Sequence, residues 1–330
     1  MKKLIAVGAL LTCLGAAAMA GGEGWTSDFE AAKKQAAEGK MDLLMDFTGS
    51  DWCVWCTRLN DEVFSKDAFK KGVKDKFVLV ELDFPRDQSK VTPEVKAQNE
   101  KLRDKYQIQG YPTIILSDSK GLPYATSGYR PNGPEKYVEN LDKLIQTRVD
   151  RDKAFEKAKG SEGVEKAKAL YSGLKAMKDL PDEMLKSFYG DVIEEIKKLD
   201  PKDETGIVKK EKEAKQLEEI GNKTVGMLRG QDFDGAMSYL DKAVKEAGFE
   251  GEVKQEALAM KILILANQGK LAEAIKMLDE IKKIAPDSEL SGDLDGLRGR
   301  LETAVKKQQA EQAPADKNAK EDAPKEPAKK

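Results

Sequence analysis

The chain has 330 residues and a formal net charge of -2, although 35% of its residues are charged. Because positive and negative charges nearly balance, the chain has no excess of positive charge that would attract a nucleic acid or an anionic membrane surface. We therefore expect neither as a partner. The length is sufficient for two domains, and no segment after residue 20 has the roughly 20 apolar residues of a membrane span.

The first 20 residues have the pattern of a secretory signal peptide. A basic start with Lys2 and Lys3 precedes an apolar stretch at residues 4–14, and Ala18-Met19-Ala20 is a small-residue cleavage signal. We therefore expect cleavage after Ala20 and a periplasmic or secreted protein that does not span the membrane. An uncleaved membrane anchor and lipidation at Cys13 are the alternatives.

Helical and strand patterns then alternate over residues 21–150, which predicts an α/β domain. The first expected helix is opened by the capping box Ser27-Asp28-Phe29-Glu30 and ends at Gly39. It is followed by a strand at 42–47, a helix from about Cys53, a short helix capped by Ser65, and a strand at 77–82. The last expected elements are a helix from Pro93 to about Tyr106, strands at 113–116 and 124–127, and a helix from Pro134.

Nearly all of residues 151–305 has a helical pattern, which predicts an all-α domain. Two or three helices are expected over residues 154–199, with breaks at Gly160 and Pro181. The pattern Phe-x-x-Ala-Met-x-x-Leu-Asp, which starts at Phe233, recurs 38 residues later as Leu-x-x-Ala-Ile-x-x-Leu-Asp from Leu271. This recurrence resembles a degenerate tetratricopeptide repeat, and a plain helical bundle is the alternative.

The chain from residue 306 to residue 330 is expected to be a disordered tail. It contains Ala, Lys, Glu, Gln and Pro but no aromatic or large aliphatic side chain. Such a segment buries too little apolar surface to offset the entropy of ordering it.

Cys53 and Cys56 are the only cysteines beyond the leader, and the chain has no histidine. A single C-x-x-C motif cannot close a tetrahedral zinc site of about four ligands. The two thiols are therefore predicted to react with each other as a dithiol that becomes a disulfide, and no metal or cofactor is expected. Two thiolates also suit Cu(I), but no histidine or nearby methionine cluster supports a copper carrier.

Three motifs in order resemble the thioredoxin fold over roughly residues 25–147. They are Asp46 in an apolar strand, the W-C-x-x-C motif that starts at Trp52, and Gly110-Tyr111-Pro112-Thr113 before a later strand. Residues 47–53 and 62–64 are more closely similar to exported thioredoxin-like proteins. They are also similar to the periplasmic C-terminal domain of the membrane electron transporter that reduces disulfides.

The resemblance implies a role for each reactive residue. Cys53 would attack a client disulfide as a thiolate, Cys56 would resolve the mixed disulfide, and a buried Asp46 would accept the proton of Cys56. The lysine that commonly pairs with this acid in thioredoxins aligns with Glu81. Two alternatives remain: Asp42 and Asp46 are ordinary strand-edge acids, and Glu81 either faces Asp46 or is a solvated strand residue.

The resemblance also implies a surface that binds the client. Pro112 resembles the cis-proline that faces the dithiol and leaves the backbone of Tyr111 free to pair with an extended peptide. Trp52, Trp55 and Tyr111 would form an apolar rim around the site. An ordinary proline at the start of a strand is the alternative for Pro112.

These observations together predict an exported thiol–disulfide oxidoreductase that reduces disulfides in protein clients. The direction is expected from Val54 and Trp55, because oxidants of this superfamily usually carry a histidine between the cysteines. A reductant of this kind requires a membrane thiol electron donor. The alternatives are a disulfide isomerase or oxidase, and a helical-repeat binding module whose thioredoxin domain serves only for docking.

Overall fold

The computed structural model describes residues 24–312. The predicted signal peptide at residues 1–20, and residues 313–330 of the predicted tail, lie outside the described residues. The chain divides into two compact units between Thr205 and Gly206. The boundary predicted near residue 150 falls inside a continuous helix, Gly133–Lys159.

The first unit contains a five-stranded mixed sheet with helices on both faces, which confirms the expected α/β fold. The strands are β1 (Trp25–Thr26), β2 (Asp42–Thr48), β3 (Phe77–Asp83), β4 (Thr113–Ser117) and β5 (Pro123–Ser127). The helices are α1 (Phe29–Gly39), α2 (Val54–Leu59), α3 (Asp67–Val73), α4 (Pro93–Lys105), α5 (Gly133–Lys159), α6 (Gly163–Ala176) and α7 (Asp182–Leu199). A π-helical turn, Asn60–Phe64, continues α2.

The strand order is β1-β3-β2-β4-β5. Strand β3 runs parallel to β1 and β2, whereas β4 is antiparallel to β2 and β5. Strand β2 lies at the centre and is buried along its whole length. Its last residue is adjacent to Asp83 at the end of β3, so both strands end at the edge where α2 begins.

Aromatic side chains fill the two layers on either side of the sheet. On one face, Phe64 of the π-helical turn packs on Trp25, Phe69 and Tyr137, with ring centroids 4.8–5.8 Å apart. On the other face, Tyr106 packs on Phe29, Phe47 and Phe188. Since successive strand residues point to opposite faces, Asp46 lies on the face of α2, α3 and α5, opposite Phe47.

Helix starts differ from the sequence prediction at two places. Asp28 is the N-cap of α1 and accepts the amide hydrogen of Ala31, so the cap is one residue later than Ser27. Helix α3 begins after Lys66, because Ser65 closes the π-helical turn instead: its amide donates to the Asn60 carbonyl at 2.9 Å and its hydroxyl to the Asp61 carbonyl at 3.3 Å. Strand β1 was not predicted, since two residues are too short for a periodic pattern.

Helix α5 extends beyond residue 150 because no helix-breaking residue occurs before Gly160 and because its second half binds the sheet. The Arg148 guanidinium donates to Asp42 at 2.8 Å, and Arg151, which is buried, reaches Asp118 at 3.1 Å. Helix α7 joins the same network, since the Tyr189 hydroxyl accepts from Arg151 and donates to the Pro123 carbonyl at 2.6 Å. Helices α5–α7 therefore belong to the first unit.

The second unit consists of helices. They are α8 (Ile207–Arg229), α9 (Phe233–Ala247), α10 (Gly251–Asn267), α11 (Leu271–Lys282) and α12 (Glu289–Gln312). The two copies of the recurring pattern are α9 and α11, which bury equivalent residues, Ala236 and Leu240 in α9 and Ala274 and Leu278 in α11.

Two predictions for the second half need adjustment. Residues 257–266, within α10, are apolar on nearly all sides, which predicts a buried helix, but Leu263 is 55% exposed while Ile262 and Ile264 are buried. Helix α12 continues to Gln312, so residues 306–312 of the predicted tail are helical. Their Lys, Gln, Ala and Glu residues are good helix formers, which explains the extension of the preceding helix.

We predict that Tyr189→Phe lowers the free energy of unfolding by about 1–3 kcal/mol, because it leaves the buried Pro123 carbonyl without its donor and removes an acceptor from Arg151. Urea denaturation measures this loss. Tyr171→Phe on α6, a partly exposed tyrosine, is the matched control and should change the value by less than about 0.5 kcal/mol. Equal losses in the two variants would contradict the bridging role of Tyr189.

Candidate active site

The cysteines form a disulfide at the start of α2. Cys53 is the N-cap of this helix, and its sulfur accepts the backbone N–H of Cys56 at 3.2 Å. The two Cα atoms are 5.2 Å apart. Both residues are buried, with 6% and 5% exposure. A helix N-terminus stabilises a thiolate through its free N–H groups, so this position favours reactivity at Cys53 over Cys56.

The loop before the disulfide is fixed by the last residue of β3 and by the segment that follows it. The buried Asp83 carboxylate accepts from the Ser50 amide at 2.8 Å and from the Ser50 hydroxyl at 2.7 Å. In the opposite direction, the Asp51 carboxylate accepts from the amides of Arg86 and Asp87, each at 2.9 Å. These reciprocal bonds hold the loop before Cys53 in one conformation.

Trp52 is fixed in the same way. Its indole N–H donates to the Phe84 carbonyl at 2.8 Å, and its ring contacts Tyr111 edge-on, with centroids 5.5 Å apart. The ring lies directly over Gly49, where an added Cβ would be 2.5 Å from a ring carbon. Gly49 is therefore required by the close approach of Trp52, which is 37% exposed beside the disulfide.

Trp55, between the cysteines, is 51% exposed and belongs to a second cluster. Its ring packs on Tyr129 with centroids 5.1 Å apart, and the Arg58 guanidinium lies over both rings. The Tyr129 hydroxyl donates to Glu62 at 2.7 Å, and Glu62 also pairs with Arg58. The predicted rim thus consists of two clusters, Trp52–Tyr111 on one side and Trp55–Tyr129 on the other.

The Tyr111–Pro112 peptide bond is cis, as the resemblance implies. Pro112 directly precedes β4, which pairs with the strand that leads to the cysteines. The role of Pro112 and Tyr111 in binding a client remains a prediction.

Three acids lie in one row on β2 and β3, on the sheet face that α2 covers. Asp46 is adjacent to Glu81 in the parallel register, and Asp83 is two residues further along β3. Burial, and then the Glu81 and Asp83 carboxylates, raise the pKa of Asp46 well above its usual range. Burial and Asp83 raise the pKa of Glu81 to about 7. Both groups therefore favour the protonated form more than ordinary carboxyls do.

Sequence reasoning missed several members of this site. Asp83 ends an apolar strand, which was a usable signal, because the carboxyl ends of neighbouring parallel strands meet at one edge. Arg58 and Glu62 follow Trp55 on the same continuous helix, three and seven residues later, so helical spacing was a usable signal for them. Tyr129 comes from a distant segment, and nothing in its local pattern indicates that it meets Trp55.

The described residues, 24–312, contain no group of three or more acidic or sulfur side chains arranged to hold a metal ion. Within that range no helix has the length and apolar character needed to cross a membrane.

Comparison with known proteins agrees with this geometry. A family model described as a thioredoxin-like domain matches residues 29–144. The disulfide bond reductase DsbH of Chlamydia pneumoniae is 32% identical over 125 residues, which cover 38% of this chain and 74% of DsbH. The chain belongs to the thioredoxin-like superfamily. With its cysteine pair in a disulfide, this thioredoxin-like protein is a thiol–disulfide oxidoreductase.

Two further similarities are shorter or weaker. The thioredoxin-related protein DsbJ of Chlamydia pneumoniae is 34% identical over 92 residues, but this covers only 28% of the thioredoxin-like chain and 26% of DsbJ. A solved structure of the DsbH oxidoreductase is 28% identical, with a TM-score of 0.34, and the similarity covers 35% of this chain and 79% of that one.

We predict that Gly49→Ala displaces the Trp52 indole and breaks its bond to the Phe84 carbonyl, with a loss of about 1–3 kcal/mol in unfolding free energy. The indole N–H resonance of Trp52 and urea denaturation measure the two effects. Gly110→Ala is the matched control in the same site, because its added Cβ would have no atom within 4 Å. An unchanged Trp52 resonance in Gly49→Ala would contradict the packing argument.

Proposed function

We propose that this thioredoxin-like protein is exported and reduces disulfides in protein clients. The observation that carries the proposal is the Cys53–Cys56 disulfide at the start of α2, with only Val54 and Trp55 between the sulfurs. Neither intervening side chain can carry a positive charge that would stabilise a reduced thiolate. A dithiol without such stabilisation holds its electrons less tightly and is the better donor.

The two cysteines have different roles in this proposal. The Cys53 thiolate attacks one sulfur of the client disulfide, forms a mixed disulfide, and releases the other client sulfur as a thiolate. Cys56 then loses its proton and attacks Cys53, which forms the intramolecular disulfide and releases the second client thiolate. The client gains two electrons, and the protein ends in the disulfide state that the structure contains.

The rim clusters would contact the client on both sides of the reacting sulfur. Trp52, Val54 and Trp55 expose 37%, 70% and 51% of their surfaces, and large exposed apolar side chains around a reactive group favour a protein contact. Tyr111 would contribute its backbone to an extended client segment. The partners proposed here are therefore disulfide-containing proteins, together with a membrane thiol donor that regenerates the dithiol.

Export explains why a membrane thiol donor is needed. Clients with disulfides occur in oxidising compartments, and the leader-like residues 1–20 predict the periplasm or secretion. In these compartments a reducing dithiol becomes oxidised and stays so without a supply of electrons. The related disulfide bond reductase DsbH supports this direction, and an isomerase or oxidase is the alternative.

Insulin reduction tests the activity. With dithiothreitol as electron source, the wild-type protein should accelerate the precipitation of insulin, because Cys53 attacks the interchain disulfides. The double variant Cys53→Ser with Cys56→Ser should give only the uncatalysed rate. Equal rates for both proteins would contradict an oxidoreductase function and favour a binding module.

We predict that Cys56→Ser accumulates mixed disulfides with clients, because the group that resolves them is absent. Cys53→Ser should accumulate few or none, because the attacking sulfur is absent. Non-reducing gel electrophoresis of the purified variants after incubation with a disulfide-containing protein measures this difference. Equal accumulation by both variants would show that the assignment of the attacking sulfur is wrong.

One feature of the second unit favours the binding-module alternative. A groove of about 630 Å³ lies among α9, α10 and α11, with Phe249, Leu258 and Met277 in its lining and Lys245 and Lys254 beside them. A helical unit with such a groove could hold a protein ligand while the first unit only docks. The insulin assay separates the two functions, because a binding module has no reason to accelerate disulfide reduction.

A further inference from the structure

Asp46 and Glu81 are the two members of the acidic row that can exchange a proton. They are direct neighbours on parallel strands, so their side chains stand side by side on the face of α2. Asp46 is 7% exposed, and its Oδ1 has no hydrogen-bond partner. Glu81 is only partly buried, so it extends the pair from the interior towards solvent.

Asp83, the third acid of the row, has a structural role. Its two carboxylate oxygens are occupied by the amide and hydroxyl of Ser50, which fixes the loop before the cysteines. Among the other elements of this unit, α2 carries the buried Cys56, α5 carries the buried Tyr137, and the edge strand β1 carries the apolar Trp25. Burial raises the pKa of Tyr137, and Asp46 raises it further, so that its phenol stays neutral.

Asp46 alone is a poor base at neutral pH. Burial and the two neighbouring acids raise the pKa of its carboxyl well above the usual range, so Asp46 holds a proton more readily than an ordinary carboxyl does. A protonated Asp46 can take a proton from Cys56 only if it passes its own to another group at the same time. Glu81 is adjacent, and near neutral pH a substantial fraction of it is ionised.

We propose that Glu81 completes a proton relay from Cys56 through Asp46 to solvent, an inference that rests on the function proposed above. As Cys56 attacks the mixed disulfide at Cys53, its S–H bond breaks and the proton moves to Asp46. Asp46 gives its own proton to Glu81, and the client sulfur leaves as a thiolate. The net change is one disulfide exchange and one proton transferred to Glu81, which then releases it to water.

The relay predicts a specific defect in the second step of the exchange. When the reduced protein reacts with 5,5′-dithiobis(2-nitrobenzoate), Cys53 releases one coloured thiolate and Cys56 then releases a second. In Glu81→Gln the second phase should be slowed about tenfold or more at pH 7, while the first phase is unchanged. In the wild type its rate should rise with pH around a midpoint near 7, and this midpoint should be absent in Glu81→Gln.

Two control variants separate the relay from a structural effect. Glu81→Asp keeps the carboxyl and should retain most of the second-phase rate. Glu38→Gln removes an exposed carboxyl on α1 and should behave as the wild type in both phases. An unchanged second phase and an unchanged midpoint in Glu81→Gln would overturn the relay.

Thermal stability of the oxidised protein tests the carboxyl without the exchange chemistry. The pKa of Glu81 is raised from 4.5 to about 7, so the folded state binds the proton more tightly than the unfolded state. Wild-type stability should therefore fall as pH rises from about 4.5 to about 7, and Glu81→Gln should fall less. If the thermal stability of the wild type and that of Glu81→Gln fall equally over this pH range, the relay is overturned. A smaller fall in the variant, combined with no second phase in the wild type, would instead overturn the proposed dithiol function and the relay with it.

Discussion

The parallel pairing of β2 with β3 is the constraint on which the site depends. It brings the ends of two buried strands to one edge of the sheet, where the loop before Cys53 starts. The same register puts Asp83 within hydrogen-bond distance of Ser50 and puts Asp46 beside Glu81. A shift of β3 by one residue would turn Glu81 and Asp83 to the opposite face of the sheet, away from Asp46 and Ser50.

This arrangement connects the stability of the sheet to the chemistry of the disulfide. A buried row of carboxyls costs free energy, because burial opposes ionisation. The unit compensates with the aromatic packing around Phe64 and with the bonds of Asp83 to Ser50. In return, Asp46 is placed in the interior, and Cys56 of α2 is buried as well, so bulk water has little access to either group.

The sequence predicts those parts of the molecule that depend on local patterns. The strand and helix order and the helix start at Cys53 follow from hydrophobic periodicity and from the C-x-x-C motif itself. The contacts of Tyr129 with Trp55, and the bridge from Arg151 to Tyr189, join segments that are distant along the chain. No local signal specifies such contacts, so the extent of the first unit also escaped prediction.

Cys53 and Cys56 are proposed to form an electron donor for client disulfides. A redox titration of this couple against dithiothreitol or glutathione buffers, monitored by Trp52 and Trp55 fluorescence or by thiol alkylation, tests it directly. If Cys53 and Cys56 donate electrons to clients, their midpoint potential should lie near that of thioredoxin, about -270 mV at neutral pH. A midpoint near about -120 mV, as in strong periplasmic oxidants, would contradict it, because such a couple removes electrons from client thiols.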